Sequence, residues 1–225
     1  MATYEQIKTS ATLYQELSRL KRLLRGALIQ FHDTQVIDWR NLMPIQVVET
    51  ALRDVRIIEP RVFGDERGFF FESFNERDFE QVAPGVHFVQ DNQSMSRRGV
   101  VRGLHYQLPP HGQGKLVRAI AGTIYDVAVD VRRSSPTFGQ WVGVELSAEN
   151  FRQLWIPAGF AHGFVALSEC AMVAYKTTTY WEKSAEVSIR WDDPTLAIDW
   201  PLDEKPILSG KDALSPYFEN ARFYP

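Results

Sequence analysis

A base, a cation and a carboxylate can be picked out of this chain by residue type and spacing. Its five histidines are His32, His87, His105, His111 and His162. Two have informative surroundings: Val101-Arg102-Gly103-Leu104-His105-Tyr106-Gln107 and Ile156-Pro157-Ala158-Gly159-Phe160-Ala161-His162-Gly163-Phe164. A lone strand histidine is more often a structural group than a base, but His105 has company. Lys115 follows ten residues later, beyond a flexible Pro- and Gly-rich loop, a spacing expected to carry it back across a hairpin to face His105. Taken alone, Lys115 reads as a solvated loop lysine. Asp212 follows Lys211 in Leu208-Ser209-Gly210-Lys211-Asp212. A carboxylate bonded to an imidazole fixes its tautomer and raises its basicity, a role open to Asp212 beside the plainer one of a surface Lys-Asp pair. Tyr175 and Lys176 lie in a strand pattern over 171–179.

The segment Pro157-x-Gly159-x-x-His162 resembles the second metal motif of cupin barrels. Such a site also needs a His-x-His pair, and Gln107 stands where the second histidine after His105 would be. Zinc and transition-metal sites usually need three or more protein ligands. No metal is therefore expected, and the histidines are free for acid–base work. The alternative is a metal-dependent cupin enzyme with His162 as a ligand.

Positioning these groups falls to short strands. From Val55 onward, β-favouring runs are broken by Gly, Pro, Asn and Asp, and strands are expected over 55–63, 69–74, 87–90, 100–107, 114–121, 123–131, 141–147, 153–156, 163–168, 171–179 and 187–191. Residues 75–82 suit a short helix, and the runs before and after Gly122 suit a hairpin hinged there. Many evenly spaced strands with few helices indicate an all-β jelly-roll, cupin-like sandwich or barrel. Before Met43 the period changes: Leu13, Leu17, Leu20, Leu24, Ala27 and Phe31 recur at helical spacing. Residues 1–42 are thus expected to be an amphipathic helical extension, and 43–225 the jelly-roll domain.

Composition narrows the setting. The 225 residues are 44% hydrophobic and 24% charged, ordinary for a globular chain. A formal net charge of −3 gives no global attraction to nucleic acid or an anionic membrane. The single cysteine, Cys170, excludes an internal disulfide, fits a reducing compartment and is expected to be a buried, inert thiol. No apolar run approaches the roughly 20 residues that span a bilayer, and a cytoplasmic location is expected.

Long motifs in one order carry a family resemblance. They are Phe63-Gly64-Asp65-Glu66-Arg67-Gly68-Phe69-Phe70-Phe71-Glu72, Val89-Gln90-Asp91-Asn92, Arg102-Gly103-Leu104-His105-Tyr106-Gln107, Gly114-Lys115, Ser135-Pro136-Thr137-Phe138-Gly139-Gln140-Trp141, Leu154 to Phe164, Tyr175-Lys176-Thr177-Thr178 and Leu208 to Asp212. Together they resemble the dTDP-4-dehydrorhamnose 3,5-epimerases, jelly-roll enzymes of dTDP-L-rhamnose synthesis, from about Thr50 to Asp212; residues 1–42 lie outside the match. The resemblance implies that His105 removes the C3 and C5 protons of a dTDP-4-keto-6-deoxyhexose, with Asp212 orienting it. Lys115 would stabilise the enolate oxygen and Tyr175 return a proton from the opposite face, with Tyr180 as a rival. Arg102 and Lys211 would hold the diphosphate. Arg67, Glu72, Gln90, Asn92, His162 and Glu186 would add substrate contacts, and Trp181 stands where an aromatic ring stacks on thymine, commonly a Tyr. The resemblance further implies a homodimer, with Arg67 and Glu72 acting across it.

These roles are chemically coherent. A proton beside a ketone is far less acidic than an imidazolium of pKa about 6.5, so a base needs a cation at the carbonyl oxygen and inversion needs an acid on the other face. No electrons move, so no cofactor is required. An epimerase acting at C3 or C5 alone would use the same groups, while a binding module would have no rate to lose on His105→Ala. Arg102 and His105, three apart, point to opposite faces of a flat strand; both can line one site only if the strand bulges, which Gly103 would permit.

Overall fold

The computed structural model describes residues 45–225; the helix expected within 1–42 lies outside them. Two antiparallel sheets face one another. One has β1 (Ile45–Glu49), β2 (Arg56–Pro60), β10 (Gln153–Ile156), β7 (Lys115–Ala121), β12 (Cys170–Thr177) and β5 (Gln90–Arg97) in that order. The other runs β13 (Glu186–Ser188), β6 (Val101–Gln107), β11 (Phe160–Ala166), β8 (Thr123–Asp130) and β9 (Trp141–Ser147). A small hairpin pairs β3 (Phe63–Asp65) with β4 (Gly68–Phe70). Helices are short: α1 (Glu76–Phe79), capped by Asn75, and α2 (Gly210–Ala213), capped by Ser209. This is the expected all-β jelly roll. Among the described residues, no helix is long and apolar enough to cross a membrane.

Alternation along the strands builds three apolar layers. Between the sheets lie Val117, Leu154, Ile156, Ala171 and Val173 from one side and Ile124, Ala128, Leu146, Phe160 and Phe164 from the other. Outside the five-stranded sheet, Val101, Leu104, Val127, Val129 and Val165 pack under Leu196, Trp200 and Phe218 of the C-terminal segment. Outside the six-stranded sheet, Ile58, Leu116 and Trp155 are covered by Phe79 and Val82 of α1 and the turn after it. Each fully buried Leu, Val or Phe contributes about 1.5–3 kcal/mol relative to exposure.

Several expectations need correction. The runs on either side of Gly122 form no hairpin, because β7 belongs to one sheet and β8 to the other. Gly122 is instead the corner between sheets, at φ +68°, where a Cβ would lie 2.1 Å from the Cys170 carbonyl oxygen. Most of β5 was not expected, nor was β1, an edge strand with exposed Val47 and Val48. β11 starts three residues before the expected 163, which places His162 inside a strand. Cys170 opens β12 exposed, not buried.

The bulge in β6 is real. On β11, His162 pairs with His105 and Phe164 with Arg102, so two steps on one strand oppose three on the other. Val101 and Leu104 consequently share the outer apolar layer despite their odd spacing, and Arg102 and His105 share the inner face. Gly103, at φ +121°, takes up the extra residue; a Cβ there would meet Gly163 Cα at 2.5 Å and the His162 carbonyl oxygen at 2.7 Å. Gly103→Ala should therefore cost about 2–4 kcal/mol in urea unfolding. Gly210→Ala, where an added Cβ meets nothing within 4 Å, should stay within about 0.5 kcal/mol. Equal midpoints for the two variants would contradict this account.

Candidate active site

β6 presents His105 to the space between the sheets, and α2 brings Asp212 to it. His105 Nε2 lies 2.6 Å from Asp212 Oδ1. Ser209 caps the helix by accepting from the Asp212 backbone N–H at 3.1 Å, and its hydroxyl donates to Asp212 Oδ2 at 2.8 Å. Burial pushes the Asp212 carboxyl up, but the His105 hydrogen bond and charge, with help from Ser209 and Lys211, hold it below the usual carboxylate range. An ionised carboxylate only accepts, so Nε2 of His105 is the donor in this pair, which in the neutral ring puts the lone pair on Nδ1. That is the arrangement of an oriented base.

A second pair lies deeper. His162 Nε2 is 2.7 Å from Oδ1 of Asp126, which is fully buried. Burial lowers the His162 pKa despite the Asp126 charge and hydrogen bond. Asp126 Oδ2 has no hydrogen-bond partner among the described residues. Lys115 is likewise buried, with Nζ donating to the His105 carbonyl oxygen at 3.3 Å. Burial brings its pKa down to about 8, and the Asp126 and Glu186 charges limit the fall. Lys115 reaches His105 across the gap between sheets, since β6 and β7 are not hairpin partners.

Tyr175, on β12, faces the same gap from the sheet that carries Lys115, opposite His105 and level with Asn92 of β5. Burial raises its pKa, and the nearby Arg102 charge opposes the rise. Arg102 Nε donates to Ser96 Oγ at 3.0 Å, joining the two sheets at their open edge. Gln90 Nε2 donates to Asn92 Oδ1 at 2.9 Å, and Gln90 Oε1 accepts from the Trp181 backbone N–H at 3.3 Å. Lys211 Nζ and Glu186 Oε1 are 2.7 Å apart. Burial would raise the Glu186 carboxyl, but Lys211, His105 and Trp181 hold it down. The rings of Tyr180 and Trp181 stand largely in solvent.

Two expected residues are elsewhere in this chain. Arg67 is 85% exposed and pairs with Asp65 in the β3–β4 hairpin. Glu72 lies with Asn75 and Asp78 over the outer face of the six-stranded sheet, away from the His105 side. Asp126, in contrast, belongs to no motif singled out from the sequence. Its signal was a single carboxylate in the apolar run Ile124-Tyr125-Asp126-Val127-Ala128-Val129, on the parity of the buried Ile124 and Ala128. Among the described residues, no three His, Cys, Asp or Glu side chains are grouped to hold a metal ion.

The arrangement is an oriented imidazole on one wall of a gap, with a partly destabilised ammonium and a protonated phenol on adjacent strands of the other wall. It can take a proton, steady an oxyanion and return a proton from the opposite direction. The Lys115 charge is directly testable by side-chain NMR titration, with a midpoint expected near pH 8. Asp126→Asn removes an anion that favours the charged amine, so its midpoint should move lower; an upward or absent shift would contradict the assignment.

Comparison with known proteins gives the same chemistry a family. Residues 49–220 match the family model described as dTDP-4-dehydrorhamnose 3,5-epimerase. The Pseudomonas aeruginosa dTDP-4-dehydrorhamnose 3,5-epimerase is 59% identical over 182 residues, covering 80% of this chain and 100% of that protein. Its Salmonella typhimurium counterpart is 58% identical over 176 residues, covering 78% and 96%. Among solved structures, the dTDP-6-deoxy-D-glucose-3,5-epimerase of Legionella pneumophila Philadelphia 1, in complex with dTDP-4-keto-L-rhamnose, matches with a TM-score of 0.76 at 54% identity, over 78% of this chain and 94% of that one. With a match of this length, the chain belongs to the dTDP-4-dehydrorhamnose 3,5-epimerase family.

Proposed function

We propose that the chain epimerises C3 and C5 of dTDP-4-dehydro-6-deoxy-D-glucose, giving dTDP-4-dehydro-L-rhamnose for dTDP-L-rhamnose synthesis. The observation that carries this reading is the Asp212-oriented His105 imidazole beside the buried Lys115 amine. His105 Nδ1 takes the proton from carbon. The electron pair moves onto the C4 oxygen, and the Lys115 cation steadies the enolate. Tyr175 then delivers a proton from the other wall of the sandwich, which inverts the carbon. The reaction moves protons and no electrons, so it needs no cofactor.

Substrate contacts follow the same geometry. Arg102 and Lys211 hold the diphosphate at the open edge, and Trp181 stacks on thymine. Gln90, Asn92, His162 and Glu186 serve as further contacts, with Asp126 supporting His162. Arg67 and Glu72 complete the site of a second copy, making the enzyme a cytoplasmic homodimer whose jelly-roll domain spans 43–225. The exposed Phe63, Phe69 and Phe70 of the β3–β4 region support that assembly, since large exposed apolar groups in one area favour a partner.

Incubation with dTDP-4-keto-6-deoxyglucose in D₂O should place deuterium at both C3 and C5. Label at one carbon would indicate a mono-epimerase, and label at neither would end the proposal. His105→Ala should lose about 10²–10⁴ in kcat. Tyr175→Phe should still exchange protons while forming little inverted product; wild-type behaviour would pass the acid role to Tyr180. For the dimer, mixing inactive Glu72→Ala with inactive His105→Ala should restore part of the activity, because one site in a mixed pair is intact. No recovery in a sample shown by light scattering to contain mixed dimers would rule out sharing.

A further inference from the structure

Gln107 drew notice as the residue standing where a metal-binding barrel would carry a histidine. In the folded chain it is the last residue of β6, two beyond His105, and only 3% exposed. Its carboxamide is fully engaged. Nε2 donates to the His111 carbonyl oxygen at 2.7 Å and to that of Tyr180 at 3.2 Å, while Oε1 accepts from the Glu182 backbone N–H at 2.7 Å. The side chain thus ties together the loop leading to Lys115 and the loop between β12 and β13.

The last two bonds bracket Trp181 on either side. Trp181 is 55% exposed and Tyr180 69%, so burial of these rings does little to hold their loop in place. Hydrogen bonds to the backbone do that work: at the Tyr180–Glu182 tip two of them end on Gln107, and the Gln90 bond to the Trp181 N–H is a third point. A carboxamide supplies two donors and an acceptor together. Glutamate keeps the acceptor but faces two carbonyl oxygens with negative charge, and asparagine is one methylene too short.

We infer that Gln107 is a positioning residue for nucleotide recognition, fixing the Tyr180–Trp181–Glu182 backbone so that the exposed indole is preset for the base. It touches no substrate itself and acts through Trp181. Preorganising an exposed ring removes an ordering cost from binding, so its loss should appear in affinity more than in turnover. This rests on the reading that Trp181 stacks on thymine.

The test is calorimetric binding of dTDP, with steady-state kinetics, for Gln107→Glu, Trp181→Ala and the double variant, each checked for a cooperative thermal transition. Gln107→Glu should weaken dTDP binding about tenfold and raise KM alike, with kcat changed no more than about threefold. Added to Trp181→Ala, it should weaken binding little further, because the ring it positions is gone. Losses that multiply in the double variant would overturn the inference. So would wild-type affinity in Gln107→Glu, or a collapse of kcat with KM unchanged. If Trp181→Ala binds dTDP like wild type, the stacking reading fails by itself, and this inference falls with it. Should the new charge prevent folding, Gln107→Met is close in size, lacks the donors and carries the same expectations.

Discussion

An ammonium group enclosed between two sheets must be matched by negative charge, because taking an isolated ion out of water costs several kcal/mol even after relaxation. Lys115 imposes this demand, and much of the interior is arranged to meet it. Asp126 projects from β8 into the same layer as Ile124 and Ala128, and Glu186 approaches from β13. Asp126 then needs a donor of its own, which His162 provides across the β8–β11 pairing. The inter-sheet layer is consequently split. Toward β9 and β10 it is packed hydrocarbon, and toward β5, β6 and β13 it is a chain of charges and amides opening to solvent.

That split explains how much of the structure could be read in advance. β9 and β10 were expected over 141–147 and 153–156, where they are found, because their inward residues are apolar and the alternation is visible. β5 was largely hidden, since Gln90, Asn92, Ser94 and Ser96 are the inward positions and Asp91, Gln93, Met95 and Arg97 the outward ones. A strand that lines a polar site erases the pattern by which strands are recognised. The same logic hid Asp126, a site residue surrounded by core. The Gly122 hairpin failed for another reason. Alternation and a glycine turn say that two strands are consecutive, yet not whether they pair or turn a corner between sheets.

The histidine–carboxylate pair joining β6 to α2 spans 107 residues of sequence. Motif content placed both members in one site, whereas spacing alone could not have connected them. For Lys115 the nearness was right and the route wrong. Arg67 and Glu72 have their motif intact, yet Arg67 pairs with Asp65 in solvent and Glu72 lies over the outer face, both away from His105. A two-sheet sandwich also offers what an inversion requires, because groups on opposite walls reach opposite faces of a flat intermediate without any movement of the backbone.

The extra residue in β6 has an evolutionary corollary. Arg102 and His105 look inward together because Gly103 is skipped in the pairing with β11. A chain lacking that residue altogether would restore simple alternation in the pairing with β11 and leave both side chains facing as they do now. Any side chain at 103, by contrast, runs into the backbone of Gly163 and His162. Lineages should therefore find this position easier to delete than to fill, and length variation there would be a gentler change than a point substitution.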